Sequence, residues 1–197
     1  MSVSLKKGDQ VCLSKNDKKL DKVIVGLGWD KVETKKSIFS PKPYPIDCDA
    51  SAILLYDETL QDGADVVYFG NLIHHTTMVE HLGDNLTGEG TGHDDDERII
   101  IDLENLPANY NKILIVINIY HAYERKQHFG LINNAFIRIV DVGDGEELYR
   151  YDLTTDAANM TAMLFGEIYL SDNRWQFKAL GEGTTDPGLK EVVDRYL

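Results

Sequence analysis

Cysteine is nearly absent, with Cys12 and Cys48 the only two in 197 residues. That count excludes a disulfide framework and a four-thiolate zinc centre. A single disulfide stays arithmetically open, and two buried thiols in a reducing compartment are the simpler expectation. Long apolar stretches are lacking too: the longest run, Ile113-Leu114-Ile115-Val116-Ile117, is far too short to span a bilayer. The opening Met1-Ser2-Val3-Ser4-Leu5-Lys6-Lys7 carries no apolar signal-peptide core, so the expectation is a cytoplasmic protein with no direct membrane insertion. Basic residues are the third shortage, since 20 Lys and Arg face 33 Asp and Glu for a formal net charge of -13. Nucleic acid is thereby excluded as a charge-driven partner, because phosphates reward Lys and Arg, and anionic membrane is disfavoured likewise. Cations and basic surfaces suit such a chain.

Enzyme signatures are missing as well. Gly26-Leu27-Gly28 follows a strand-like run but lacks the third glycine and the helix of a dinucleotide fingerprint. There is no phosphate-loop lysine, no His-Glu-x-x-His and no Gly-x-Ser-x-Gly elbow. His74 and His75 are adjacent and are expected on opposite faces of a strand, while nothing in the spacing gathers His81, His93 and His121 into a zinc site. No enzymatic activity is expected.

What the chain does contain is a series of short β-rich runs at 23–27, 52–56, 66–69, 99–103, 112–120, 135–142, 148–151, 164–170 and 175–180. Gly143-Asp144-Gly145 and Ser171-Asp172-Asn173-Arg174 are hairpin signals between the later ones. The pattern predicts an all-β fold, a two-sheet antiparallel β-sandwich with a short C-terminal helix, as one domain over residues 1–197. Asp186 is the expected helix cap, with Pro187 in the first turn and Leu189 to Leu197 helical. A helical turn is expected around residues 155–159, and an extended, proline-bearing surface loop over 31–45.

The stretch Gly83 to Glu97, GDNLTGEGTGHDDDE, combines crowded acids with four glycines and no Lys or Arg. Close carboxylates repel one another unless a cation lies between them, and calcium takes six to eight oxygen ligands from carboxylates, amides and backbone carbonyls. Asp84 and Asn85 offer oxygen side chains, Gly88 and Gly90 offer turning backbone, and Asp94, Asp95, Asp96 and Glu97 offer charge. The spacing is not that of an EF-hand, because Leu86 and Glu89 stand where a ligand and the central glycine belong. Asp47 and Asp49 lie two apart at the start of a strand and share a face, and Asp30 follows another strand; these are further candidate ligands.

Several of these stretches together resemble the TerD family of tellurium-resistance and general stress proteins. The residues that carry the likeness are Met1 to Gly8, Val25-Gly26-Leu27-Gly28-Trp29-Asp30, Asp47-x-Asp49-Ala50-Ser51-Ala52 and Gly83-Asp84-Asn85-x-Thr87-Gly88-Glu89-Gly90. Gln127-x-Phe129-Gly130, Asn134 to Arg138, Tyr151-Asp152-Leu153 and Ala162-Met163-x-Phe165-Gly166-Glu167 continue it, so it covers nearly the whole chain in order. The resemblance implies a calcium-binding β-sandwich without established enzymatic activity. It also implies a role in tellurite and stress resistance beside a TerC-like membrane protein and other Ter proteins. It places calcium on Asp84, Asn85 and the backbone near Gly88 and Gly90, with carboxylates from Asp94 to Glu97; Asp30, Asp47 and Asp49 follow. Thr91 stands where the family carries an aspartate, and His93 with one aspartate is inserted before the last acids. Two other readings compete: a cyclic-nucleotide-like sensor using Arg125, Lys126 and His121 for an anion, and a metal-dependent hydrolase with His93 or His121 as proton carrier.

Overall fold

An unbroken apolar strand needs cover on both faces, and residues 113–117 have it. The computed structural model describes residues 2–31, 44–83, 95–153 and 157–197, with the side chain of Lys31 excepted. Its strands, numbered in chain order, form two six-stranded sheets. The first runs from edge to edge as β1 (Val3–Leu5), β12 (Glu147–Asp152), β11 (Ile132–Asp141), β5 (Lys22–Lys31), β9 (Glu97–Asp102) and β8 (Val79–His81). The second runs as β2 (Gln10–Cys12), β14 (Arg174–Thr184), β13 (Ala162–Ser171), β10 (Lys112–Ile119), β6 (Cys48–Leu55) and β7 (Val66–Val67). A small hairpin joins β3 (Ser14–Lys15) to β4 (Lys18–Lys19). Pairing within the sheets is antiparallel except between β1 and β12, which run parallel.

Between the sheets lies the main core. Ile113, Ile115, Ile117 and Ile119 of β10 meet Val25 and Leu27 of β5, Ile99 and Ile101 of β9, and Phe165 of β13 there. The alternate residues Leu114 and Val116 point the other way, into a second cluster with Ile53, Leu55, Leu164, Leu180 and Val192. Val192 belongs to the C-terminal helix Leu189–Val193, which therefore covers the outer face of the second sheet. Each large side chain buried this way contributes about 1.5–3 kcal/mol. The first sheet has one covered face, and β9 shows it by alternation: Ile99 and Ile101 are buried while Arg98 is exposed.

The sandwich and both hairpins are as the sequence leads one to expect. Asp172 (φ 49) and Asn173 (φ 59) adopt the left-handed angles of a two-residue turn between β13 and β14. The helix differs in detail. It ends at Val193 and passes into a 3-10 turn over Asp194–Tyr196, and Gly188 occupies the cap position. Asp186 lies too far ahead of Leu189 to cap it, and its Oδ2 accepts from Thr184 Oγ1 at 2.6 Å and pairs with Arg195 instead. Strands β1, β2 and β8 lack a readable apolar alternation and were not expected. Residues 32–43 of the proline-bearing loop expected over 31–45, and 155–156 of the turn expected at 155–159, lie outside the described residues.

Both cysteines are free. Cys48 is buried, but Cys12 is partly exposed because β2 is an edge strand, which corrects the expectation of two buried thiols. No described helix is long and apolar enough to cross a membrane.

Candidate functional site

The acidic stretch joins β8 to β9, and Asp84, Asn85, Gly88, Gly90 and Asp94 lie outside the described residues. Its base is described. Leu82 N–H donates to the Arg98 carbonyl at 2.9 Å, continuing the β8–β9 pairing to the loop's edge. Just inside, His81 Nε2 stands 2.7 Å from Glu97 Oε2, and both side chains are 1% exposed. Gly83 N–H donates to His81 Nδ1 at 3.2 Å, so a neutral ring carries its proton on Nε2, facing the Glu97 carboxylate. That contact is close yet poorly aligned for a hydrogen bond. One buried His–Glu pair thus ties together the two ends of the loop.

The acids after the loop are each engaged. Asp95 receives Arg138 through both oxygens, Nε to Oδ1 at 2.7 Å and Nη2 to Oδ2 at 2.9 Å. The bidentate carboxylate is the strongest influence on that guanidinium and raises its pKa. Asp96 N–H donates to the Leu27 carbonyl at 2.7 Å, and Asp96 Oδ2 accepts from Trp29 N–H at 2.9 Å. Gly26 is what makes room for this arrangement, because a Cβ there would lie 2.3 Å from Asp95 Oδ1. Gly26→Ala is therefore expected to destabilise the protein by about 1–3 kcal/mol through overpacking. Gly63→Ala, whose Cβ would meet nothing within 4 Å, serves as the near-neutral control in the same urea titration.

Asp47 and Asp49 reach the same end of the sandwich from the other sheet. Asp49 is the second residue of β6 and pairs in register with Asn118 of β10, whose Nδ2 donates to Asp49 Oδ2 at 3.3 Å. Arg125 Nη1 lies 3.7 Å from Asp47 Oδ2. Between the two aspartates, the Cys48 thiol is pushed well above its ordinary pKa, by burial first and then by Asp49, Asp47, Asp96 and Glu97. Carboxylates from both sheets therefore bear on one buried sulfur, which stays protonated and unreactive. Of the expected ligands that are described, Asp47, Asp49, Asp96 and Glu97 all act on that sulfur, though they form no cluster at ligand distance among the described residues. Asp95 is occupied by Arg138, and Asp30 accepts from Asn134 Nδ2 at 2.7 Å.

Sequence reasoning missed His81, Asn118 and Arg138. Asn118 had a signal, being a polar residue inside the apolar strand Lys112–Ile119; the other two had none, because their partners are far away in the chain. His74 and His75 contradict the expectation of opposite faces. They lie in a turn before β8, where the rings sit 4.2 Å apart between centroids, since adjacent residues in a turn escape strand alternation. The anion site imagined at His121, Arg125 and Lys126 is also partly spoken for. Arg125 packs 5.2 Å from the Tyr120 ring centroid and faces Asp47, while His121 meets Glu124. Beside Asp49 and Asn118 opens a groove of about 460 Å3 lined by Tyr68, Phe69, Tyr120 and Tyr123.

The expected ligands near the loop base offer oxygens, and the nearby Cys48 thiol is held protonated. Such a set suits a hard cation such as calcium rather than a thiophilic metal.

A family model for the TerD domain matches residues 1–196. The chain is 44% identical over 204 residues to stress response protein SCP2 of Bacillus subtilis (strain 168), with both chains covered completely. It is 43% identical over 197 residues to tellurium resistance protein TerD of Serratia marcescens, covering all of this chain and 97% of that one. In fold it is similar to the crystal structure of a homologue of telluride resistance protein (TerD) from Streptomyces coelicolor A3(2). That match has a TM-score of 0.64 at 19% identity, over 85% of this chain and 92% of that one. A match along the full length, to sequences that are themselves tellurium-resistance and stress-response proteins, has one meaning: the chain belongs to the TerD family.

Proposed function

We propose that this protein is a calcium-binding, non-enzymatic stress-response protein of a tellurite-resistance system. It acts as one domain in the cytoplasm through protein partners, a TerC-like membrane protein and other Ter proteins among them. The observation that supports the calcium reading is that four expected ligands, Asp47, Asp49, Asp96 and Glu97, lie near enough to the base of the acidic loop to act together on the buried Cys48. Asp84, Asn85, the backbone at Gly88 and Gly90, and Asp94 to Glu97 would hold the ion, with Asp49 and Asp47 beside them and Asp30 as an outer candidate. Bound calcium supplies the positive charge that relieves the repulsion among these acids. Arg138 and Arg125 offset part of that repulsion already, at Asp95 and Asp47. The buried, protonated Cys48 supports an indirect role in resistance rather than thiolate chemistry on tellurium.

The test is thermal unfolding followed against calcium. A ligand at a hundred times its dissociation constant stabilises the native state by about 2.7 kcal/mol. For a chain of this size that corresponds to a rise in Tm on the order of 5–10 °C. Converting Asp84 and Asp96 together to Asn should abolish the rise. No shift at millimolar calcium in the unaltered protein would sink the reading.

A further inference from the structure

A second set of metal-ligating side chains is built from different elements. Asp65 ends the 3-10 turn Gly63–Asp65 and is 1% exposed. It is fixed from two directions: Asp62 N–H donates to its Oδ2 at 3.1 Å, and Tyr110 O–H donates to its Oδ1 at 2.7 Å. Two histidine nitrogens close on that same Oδ1, His74 Nε2 at 3.2 Å and His75 Nδ1 at 3.7 Å. All three ligand atoms lie within 4.8 Å of one another. In a tetrahedral zinc site with bonds of about 2.0 Å, neighbouring ligand atoms stand about 3.3 Å apart, and the two measured separations bracket that value.

From this geometry we propose that Asp65, His74 and His75 form a binding site for a divalent cation of the zinc class, with the fourth position open to solvent.

The bland account is a structural network in which Asp65 joins Tyr110 to His74. It explains those two contacts, and the His75 contact with Tyr110, but not why His75 Nδ1 faces the shared carboxylate as well. His75's side chain is 55% exposed, yet its Nδ1 is turned toward the shared carboxylate and its Nε2 lies 3.5 Å from Tyr110 Oη. The histidine pair also has the orienting partner that metal ligands require. His74 Nδ1 sits 2.7 Å from Thr76 Oγ1, a hydroxyl able to accept the ring proton when Nε2 is given to a metal. That exchange of tautomer gives up the Thr76 N–H contact to Nδ1 at 3.3 Å and the Nε2–H bond to Asp65 Oδ1, which a metal shared by the two atoms would replace. Two nitrogens and one carboxylate oxygen make a borderline donor set that suits zinc better than calcium.

Isothermal calorimetry with zinc chloride on the full chain tests this, run in millimolar calcium so that oxygen sites elsewhere are already saturated. One zinc per chain at micromolar affinity or tighter is expected. His75→Ala is the informative variant, because the ring is exposed and the fold does not depend on it. It should weaken binding ~100-fold, and Tyr110→Phe, which removes the bond that orients Asp65, ~10-fold. Cobalt(II) should give the intense visible absorption of a tetrahedral site, and His75→Ala should lose it. Zinc binding that is weaker than micromolar, or that is unchanged in His75→Ala, overturns the proposal. Either result leaves the calcium-dependent thermal shift untouched, so the two readings stand or fall separately.

Discussion

Phe165→Ala is expected to lower stability by about 3–5 kcal/mol and Tm on the order of 10 °C. Phe165 is fully buried and sits where β13 slips register against both neighbours. Opposite β10 the pairing shifts between Ile115 and Val116, and opposite β14 between Leu164 and Gly166. A bulge residue is released from the ladder and re-aims its side chain, here into the core between the sheets. Its ring meets Tyr151 of the first sheet edge-on, 5.6 Å between centroids and 67° between planes. Tyr151 is itself confined, because its hydroxyl lies so close to Gly181 (φ 57) that a Cβ there would be 2.1 Å away. The cavity left by Phe165→Ala therefore cannot be filled by Tyr151, and the larger end of the usual range applies. Guanidinium titration should show a fallen midpoint with an unchanged slope. A loss under about 1 kcal/mol would mean that the bulge relaxes and the core closes over the gap.

The second large effect concerns the base of the acidic loop. His81→Ala or Glu97→Ala, measured in chelator to exclude metal, should each cost about 3 kcal/mol or more, because each removes the group that faces its partner at 2.7 Å in a buried site. The double replacement His81→Leu/Glu97→Met should cost far less than the sum, since an apolar pair of similar volume needs no compensation. A double-mutant cycle by urea denaturation reads this coupling directly. Strictly additive losses would show that the 2.7 Å contact between Nε2 and Oε2 contributes nothing. The same single variants should also blunt the calcium-dependent rise in Tm, because the loop would no longer be held at both ends.

These two sites differ in how visible they are in the sequence. Phe165 is a large apolar residue in a strand-like run, so its burial can be expected, but the slipped register that aims it cannot. His81 and Glu97 flank an obvious loop, yet neither composition nor periodicity marks them as partners. Asn118 is intermediate. A polar residue in the apolar strand Lys112–Ile119 hints at a special position, and its contact with Asp49 explains it.

The longer strands, the two hairpins, the sandwich class and the family could all be read from residues 1–197 alone, but the short strands β1, β2 and β8 could not. Alternation and turn chemistry act over a few residues, so a short window of sequence contains their cause. The run at 113–117 marked a strand, though not that both of its faces are covered, one of them by the C-terminal helix. Which acids meet was decided by tertiary structure. Asp96 and Glu97 come from the end of one sheet and Asp47 and Asp49 from that of the other, and only the stacking of the sheets lets all four act on one buried thiol. In the same way Arg138 claims Asp95 from 43 residues away, and Asp65 draws His74 and His75 into a turn where strand alternation no longer applies. Electrostatic pairing depends on distance in space and on the register of remote strands, and neither quantity is contained in local spacing.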